Sequence, residues 1–87
     1  FIGGSGSNIT WAGNYGIAYG LWLILNKIAQ AVFGKYNKAD PTAQFIVGVG
    51  TDANNRKNGF AVYDNGIKIG DTLITEEQLQ KLLALLN

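Results

Sequence analysis

Residues 17–34 read IAYGLWLILNKIAQAVFG, and within that run Ile17-Ala18-Tyr19-Gly20 is answered fourteen residues later by Ala31-Val32-Phe33-Gly34. Each block is small or apolar, then aromatic, then glycine. A surface helix fits the stretch poorly, because Leu21–Leu25 offers no polar face. A membrane span needs about 20 predominantly apolar residues, and this run is interrupted by Asn26, Lys27 and Gln30, with Gly20 early in it. A repeat has support outside the stretch: Gly6, Gly13, Gly20 and Gly34 fall on a seven-residue lattice broken only at Lys27. Seven is also the coiled-coil period, but glycine costs a helix interior about 1 kcal/mol. Glycine at a fixed period suits a repeated tight turn, since it takes φ > 0 without a steric cost. Residues 7–35 are therefore read as about two coils of a β-roll, with a buried amphipathic helix over 17–33 as the competing reading.

Working outward, residues 36–44 (YNKADPTAQ) read as a loop, in which Pro41 supplies no donor and biases Asp40 toward an extended conformation. Phe45–Thr51 is rich in β-formers, Asp52–Asn58 is a polar turn, and Phe60–Asp64 alternates as a strand. Asn65-Gly66 predicts a type I′ hairpin with Ile67–Ile69 as the returning strand, and Gly70-Asp71 a second turn. Thr75-Glu76-Glu77-Gln78 is a capping box that opens a helix ending at Leu86. Leu79, Leu82 and Leu86 stand at a/d spacing, widened by Leu83 and Leu85. An isolated helix of about eleven residues is marginal in water, so this leucine stripe asks for a partner surface. The same helix in another subunit is the simplest one. The expected organisation is a Gly-rich repeat segment over 1–35, a β module over 36–74 and a trimerising helix over 75–87.

Composition narrows the chemistry. The 87 residues contain no Cys, His or Met, and seven Lys+Arg stand against six Asp+Glu for a net charge of +1. Without thiol or imidazole there is no disulfide, no ordinary zinc site and no Ser-His or Cys-His nucleophile. A net charge so near zero argues against nucleic acid or an acidic membrane surface as the main partner. A domain this small is marginal alone, and with disulfides and zinc excluded, oligomerisation is the remaining stabiliser. The absence of Met, with a start at Phe1-Ile2-Gly3-Gly4, reads as a C-terminal piece of a longer polypeptide. No cofactor and no metal is expected: the carboxylates lack calcium-loop spacing, and Glu76-Glu77 is accounted for by capping. Val47-Gly48-Val49-Gly50-Thr51 lacks the Lys-Ser/Thr of a phosphate loop and reads as a glycine-bulged strand.

The stretch GKYNKADPTAQFIVGVGTDANNRKNGFAVYDNGIKIGDTLI (34–74) resembles the C-terminal module of bacteriophage and prophage tail fibre proteins. That pattern is G-x-Y-N, a short Asp/Pro loop, an apolar strand ending G-x-G-T, a polar turn with Asn-Arg-x-Asn, a strand and a D/N-G hairpin. The upstream Gly/Ala lattice is similar to the head repeats of trimeric autotransporter adhesins of the YadA type, although Leu21–Leu25 and Lys27 depart from the usual repeat. The resemblance implies a mainly β, intertwined homotrimer: Gly-rich β-roll or solenoid coils, a β-hairpin module and a short C-terminal α-helix. It implies a structural fibre segment on a virion or in an extracellular adhesin, and not an enzyme.

Two expectations about function follow. The trimer is closed by Leu79, Leu82, Leu83 and Leu86. Alternatively, the same fibre is a receptor-binding tip that presents Trp11, Trp22 and Arg56 to a host-surface glycan or protein. Trp11, Tyr15, Tyr19 and Trp22 form an aromatic group that suits intersubunit packing or glycan stacking, and Arg56 has the planar fork to join carbonyls or carboxylates of two subunits.

Overall fold

The computed structural model describes residues 2–9 and 15–86. Among the described residues nine strands and one helix follow in order: β1 (Ile2–Ser5), β2 (Asn8–Ile9), β3 (Ile17–Leu21), β4 (Ile24–Leu25), β5 (Ala31–Lys35), β6 (Phe45–Val49), β7 (Asn58–Tyr63), β8 (Gly66–Ile69), β9 (Thr72–Thr75) and α1 (Glu76–Leu86). The protein is therefore mainly β with a short C-terminal helix, and the helical reading of 17–33 is replaced by strands β3 to β5. Seven strands form one sheet in the order β1-β3-β5-β6-β7-β8-β9, and β2 pairs with β4 in a small second sheet.

The first four strands of the large sheet are parallel, the rest antiparallel. From β3 to β6 the parallel step is fourteen residues: Ile17 pairs with Ala31 and Ala31 with Phe45. The chain returns through β4 between β3 and β5 and through the 36–44 loop between β5 and β6, so the run Leu21–Leu25 rounds a corner instead of lying on one helix face. Leu23 and Leu25 point inward at 0% exposure, while Leu21 is exposed. They meet Ala18, Val32, Ala43, Ile46 and Ala61 in a small core between the two sheets.

Gly20, Gly34 and Gly48 stand side by side in register. A Cβ on Gly20 would lie 1.9 Å from the Gly34 oxygen, and one on Gly34 would lie 2.3 Å from the Gly48 oxygen. With φ of 150° and 102°, neither position suits an L side chain. These glycines sit inside strands, not in turns, and they repeat at fourteen. The seven-residue lattice is not the structural repeat: Gly20 is in a strand, whereas Lys27, seven residues on, lies in the bend after β4. The corners are held instead by side-chain-bearing residues at positive φ, Trp22 (54°), Ala29 (60°) and Tyr36 (42°), each a strained conformation that its surroundings must hold.

The small sheet ends after two strands because a side chain takes the third place. Fourteen residues after Ile24 the next strand would pair at Lys38. Instead Asn37, buried at 0% exposure, accepts from the Ile24 N–H through Oδ1 at 2.7 Å and donates to the Ile24 carbonyl through Nδ2 at 2.9 Å. Gln30, 1% exposed, does similar work below it. Its Oε1 accepts from the Asn26 amide at 3.1 Å, and its Nε2 donates to the Asp40 and Ala43 carbonyls at 2.8 Å each. Both residues satisfy backbone groups that a loop leaving the stack would otherwise strand away from water.

The hairpin expected at Asn65-Gly66 forms one residue earlier. Tyr63 pairs with Gly66, so Asp64-Asn65 makes the turn and Gly66 opens β8. Neither Asn65 nor Gly66 has positive φ, so the turn is not type I′. The register is set instead by the apolar row that places Phe45, Val62, Ile67 and Ile74 side by side. At the second hairpin Gly70-Asp71 does form the turn, with Gly70 at φ 60°. The capping box is present: the Gln78 amide donates to Thr75 Oγ1 at 3.2 Å, and the Thr75 amide donates to Gln78 Oε1 at 3.0 Å.

Replacing Asn37 by Ala leaves a buried donor and a buried acceptor on Ile24 without partners, so Asn37→Ala is expected to cost about 2–4 kcal/mol in urea denaturation. Gln30→Ala should behave similarly, whereas Asn58→Ala, whose side chain bonds Lys38 at the surface, should cost about 1 kcal/mol or less.

Candidate functional site

The two faces of the large sheet differ. On the inner face Ala18, Val32, Ile46 and Ala61 are covered by the small sheet and the 36–44 loop. On the outer face strand alternation sets out two apolar rows in register. One contains Tyr19, Phe33, Val47, Phe60 and Ile69; the other contains Ile17, Ala31, Phe45, Val62, Ile67 and Ile74. Tyr19 (58%), Ile69 (60%) and Ile17 (44%) are exposed on it, and the Phe33 and Phe45 rings lie 5.8 Å apart. Helix α1 stands at the end of this face. An apolar cleft of about 380 Å³ runs between Leu79 and the outer-face residues Val62, Ile67 and Ile74. No residue of the helix is buried, and Leu79, Leu82, Leu83 and Leu86 are 47% to 74% exposed.

The shape is extended, 47 × 26 × 17 Å, with a radius of gyration of 14.1 Å, against about 12 Å for a compact domain of this length. The accessible surface of 5633 Å² exceeds the roughly 5,000 Å² usual for a folded monomer of this mass.

Arg56 is half-buried where the corner of the stack meets the polar turn. Its Nη1 donates to the Trp22 carbonyl at 2.8 Å and the Asn37 carbonyl at 3.2 Å, and the guanidinium lies 5.6 Å from the centre of the Tyr36 ring. Both bonds leave from the same guanidinium nitrogen and reach carbonyls of this chain. Arg56 thereby braces two of the positive-φ corners, Trp22 and Tyr36. The Trp22 ring is 46% exposed, and its other side lies over Gly6, where an added Cβ would come within 2.3 Å of it. Of the aromatic residues singled out in the sequence, Tyr15 and Trp22 are at opposite ends of β3 and Tyr19 is on the outer face, and Trp11 lies outside the described residues.

A second concave region lies on the inner face, where the covering layer stops but the sheet continues. Asp40 and Tyr63 mark that step. The Tyr63 hydroxyl donates to Asp40 Oδ2 at 2.5 Å, and Asp40 Oδ1 accepts from the Thr42 amide at 2.9 Å and the Thr42 hydroxyl at 2.6 Å. Burial pushes the Asp40 pKa up, but hydrogen bonds from Thr42 and Tyr63 and the charge of Lys68 outweigh it and hold the carboxyl below its ordinary value. Burial, and then the hydrogen bond and charge of Asp40, push the Tyr63 phenol up to about 12. Lys68 Nζ sits 5.5 Å from the centre of the Tyr63 ring. Nothing in the sequence signalled this arrangement, because Asp40 and Tyr63 are twenty-three residues apart.

The described residues contain no cluster of three or more metal-ligating side chains and no helix long and apolar enough to cross a membrane. Comparisons with protein-family models, with curated proteins and with solved structures give no match to this chain.

The Asp40–Tyr63 pair makes stability pH-dependent at both ends. The depressed Asp40 pKa contributes stability that is complete above the unfolded value near 3.8 and lost as pH falls through the lower folded value. The raised Tyr63 pKa contributes stability that is complete below 10.0 and lost as pH rises through about 12. Tyr63→Phe is expected to cost about 1.5 kcal/mol at neutral pH. In urea titrations across pH it should also lose the alkaline component that the parent chain shows.

Proposed function

We propose that this chain is a homotrimeric structural segment of a fibre, of the tail-fibre or adhesin kind, on a virion or outside the cell. In this reading the fourteen-residue parallel steps are coils of a β-roll, and three copies meet through the outer sheet face. The helices then close the assembly through Leu79, Leu82, Leu83 and Leu86. The observation that carries the reading is the continuous apolar outer face that ends beside an unburied leucine helix. A stable contact buries roughly 800 Å² per partner. An elongated chain with two in-register apolar rows and an excess of accessible surface is suited to supply that area. Burying a leucine is worth about 1.5–3 kcal/mol, so a helix with five of them gains most by packing on copies of itself. The role is assembly and stiffness, without catalysis: thiol and imidazole are absent, Asp40 is taken up by Thr42 and Tyr63, and Glu77 pairs with Lys81 at 3.4 Å.

Sedimentation equilibrium across a dilution series is expected to give a species near three times the 9.3 kDa chain mass. Phe33→Lys and Leu82→Lys should each weaken it by at least about tenfold in association constant, with the strand signal of circular dichroism retained. A monomer at all concentrations overturns the reading.

A second reading, receptor recognition by the same fibre, is favoured by the half-exposed Trp22 ring fixed against Gly6. There, Trp22→Ala is expected to abolish adsorption to the receptor-bearing surface and leave the trimer intact. Unchanged adsorption excludes Trp22 as the contact.

A further inference from the structure

Four of the chain's seven cations, Lys38, Arg56, Lys57 and Lys68, line a single groove of about 370 Å³ on the inner side of the sheet. Two of its six carboxylates, Asp40 and Asp71, lie on the same groove. The chain as a whole carries +1, so this groove concentrates charge that composition alone would spread evenly. Among the described residues the only ion pair is Glu77–Lys81; none of the three groove lysines is within ion-pair distance of a carboxylate. The groove exists because of the fold. Lys38, Ala39 and Asp40 of the covering loop form one side, the polar turn supplies Arg56 and Lys57 as another, and Tyr63 and Lys68 of the continuing sheet form the floor.

The lining restricts what fits. A lone inorganic anion would fill only part of such a volume, so a ligand extends beyond its charged group. The groove has no large aliphatic side chain: its apolar contributions are Ala39, Gly70 and the Tyr63 ring. A hydrocarbon acid would therefore leave lysines, amides and carboxylates desolvated against carbon, at a cost. Asp71 offers acceptor oxygens, which call for hydroxyl donors on the ligand. A negative group flanked by several hydroxyls meets all of these conditions.

We propose that this groove binds a sugar acid, with its carboxylate or phosphate held by Lys38, Lys57 and Lys68 and its hydroxyls bonded to Asp71 and the groove backbone. Tyr63, clamped by Asp40, keeps the floor rigid and holds Lys68 over its ring. The groove belongs to one chain and lies on the face opposite the apolar rows. The proposal therefore stands apart from the trimer and uses residues other than Trp22.

The test is a set of NMR titrations of the full chain with glucuronate, glucose 6-phosphate, glucose and inorganic phosphate. Glucuronate or glucose 6-phosphate should bind with a Kd of about 1 mM or tighter and shift the Lys38, Lys57, Tyr63 and Lys68 amides. Whichever of the two binds more tightly identifies the anionic group. Glucose and inorganic phosphate should each bind at least about tenfold more weakly. Lys68→Gln should weaken binding by about tenfold or more, as should the Lys38→Gln/Lys57→Gln double variant, whose side chains are exposed and do not support the fold. The proposal is overturned if no probe shifts these amides, if glucose binds as well as the acids, or if inorganic phosphate alone binds as tightly. It is also overturned if both folded variants bind like the parent.

Discussion

The close approach of glycine backbones at Gly20, Gly34 and Gly48 is the constraint on which the rest depends. A side chain at either of the first two would drive its Cβ into the next strand's carbonyl. With glycine there, adjacent strands lie in register every fourteen residues, and that register fixes everything above it. It puts Val32 over Ala18 and Ile46 over Val32, which makes the core. It puts Tyr19 beside Phe33 and Val47, which makes the outer face. It also places Trp22 and Tyr36 at equivalent corners, where positive φ must be tolerated and where Arg56 bonds the Trp22 and Asn37 carbonyls and lies against the Tyr36 ring.

A stack of this kind must end somewhere, and it ends by substitution. Asn37 gives Ile24 the two hydrogen bonds that a third strand would have given, so the small sheet stops without exposing its edge to the core. The large sheet does not stop there. It changes from parallel to antiparallel at β7 and runs on for two more strands without a covering layer. The mismatch between a sheet of seven strands and a cover that spans only some of them produces both surfaces of interest. One is the uncovered apolar outer face, and the other is the cation-lined groove at the step marked by Asp40 and Tyr63. A protein with a core of a few small and aliphatic side chains has little stability to spare.

Much of the architecture was legible in the sequence. The match of IAYG to AVFG marked the fourteen-residue step that β3 and β5 take, though it left a helix open over the same residues, and the capping box fixed the helix start at Glu76, because that signal is local and its physics is local. The seven-residue lattice misled because glycine spacing along a chain does not distinguish a strand position from a bend; only the partner strand does. Asn65-Gly66 misled by one residue for a similar reason. Turn propensity is a weak local preference, and the row Phe45, Val62, Ile67 and Ile74 sets the register more strongly.

The sequence by itself determined that the chain is mainly β with a leucine-rich helix at its end and that it lacks thiol and imidazole chemistry. Composition, periodicity and capping are properties of neighbouring residues, and a chain carries them before it folds. Only the tertiary structure decided that Asn37 and Gln30 are buried to satisfy backbone groups. It alone turned Arg56 inward onto carbonyls of its own chain, brought Asp40 to Tyr63, and gathered four of seven cations on one groove. Each of these depends on contacts between residues ten or more positions apart, and such meetings follow from strand register and loop path, which no local pattern encodes.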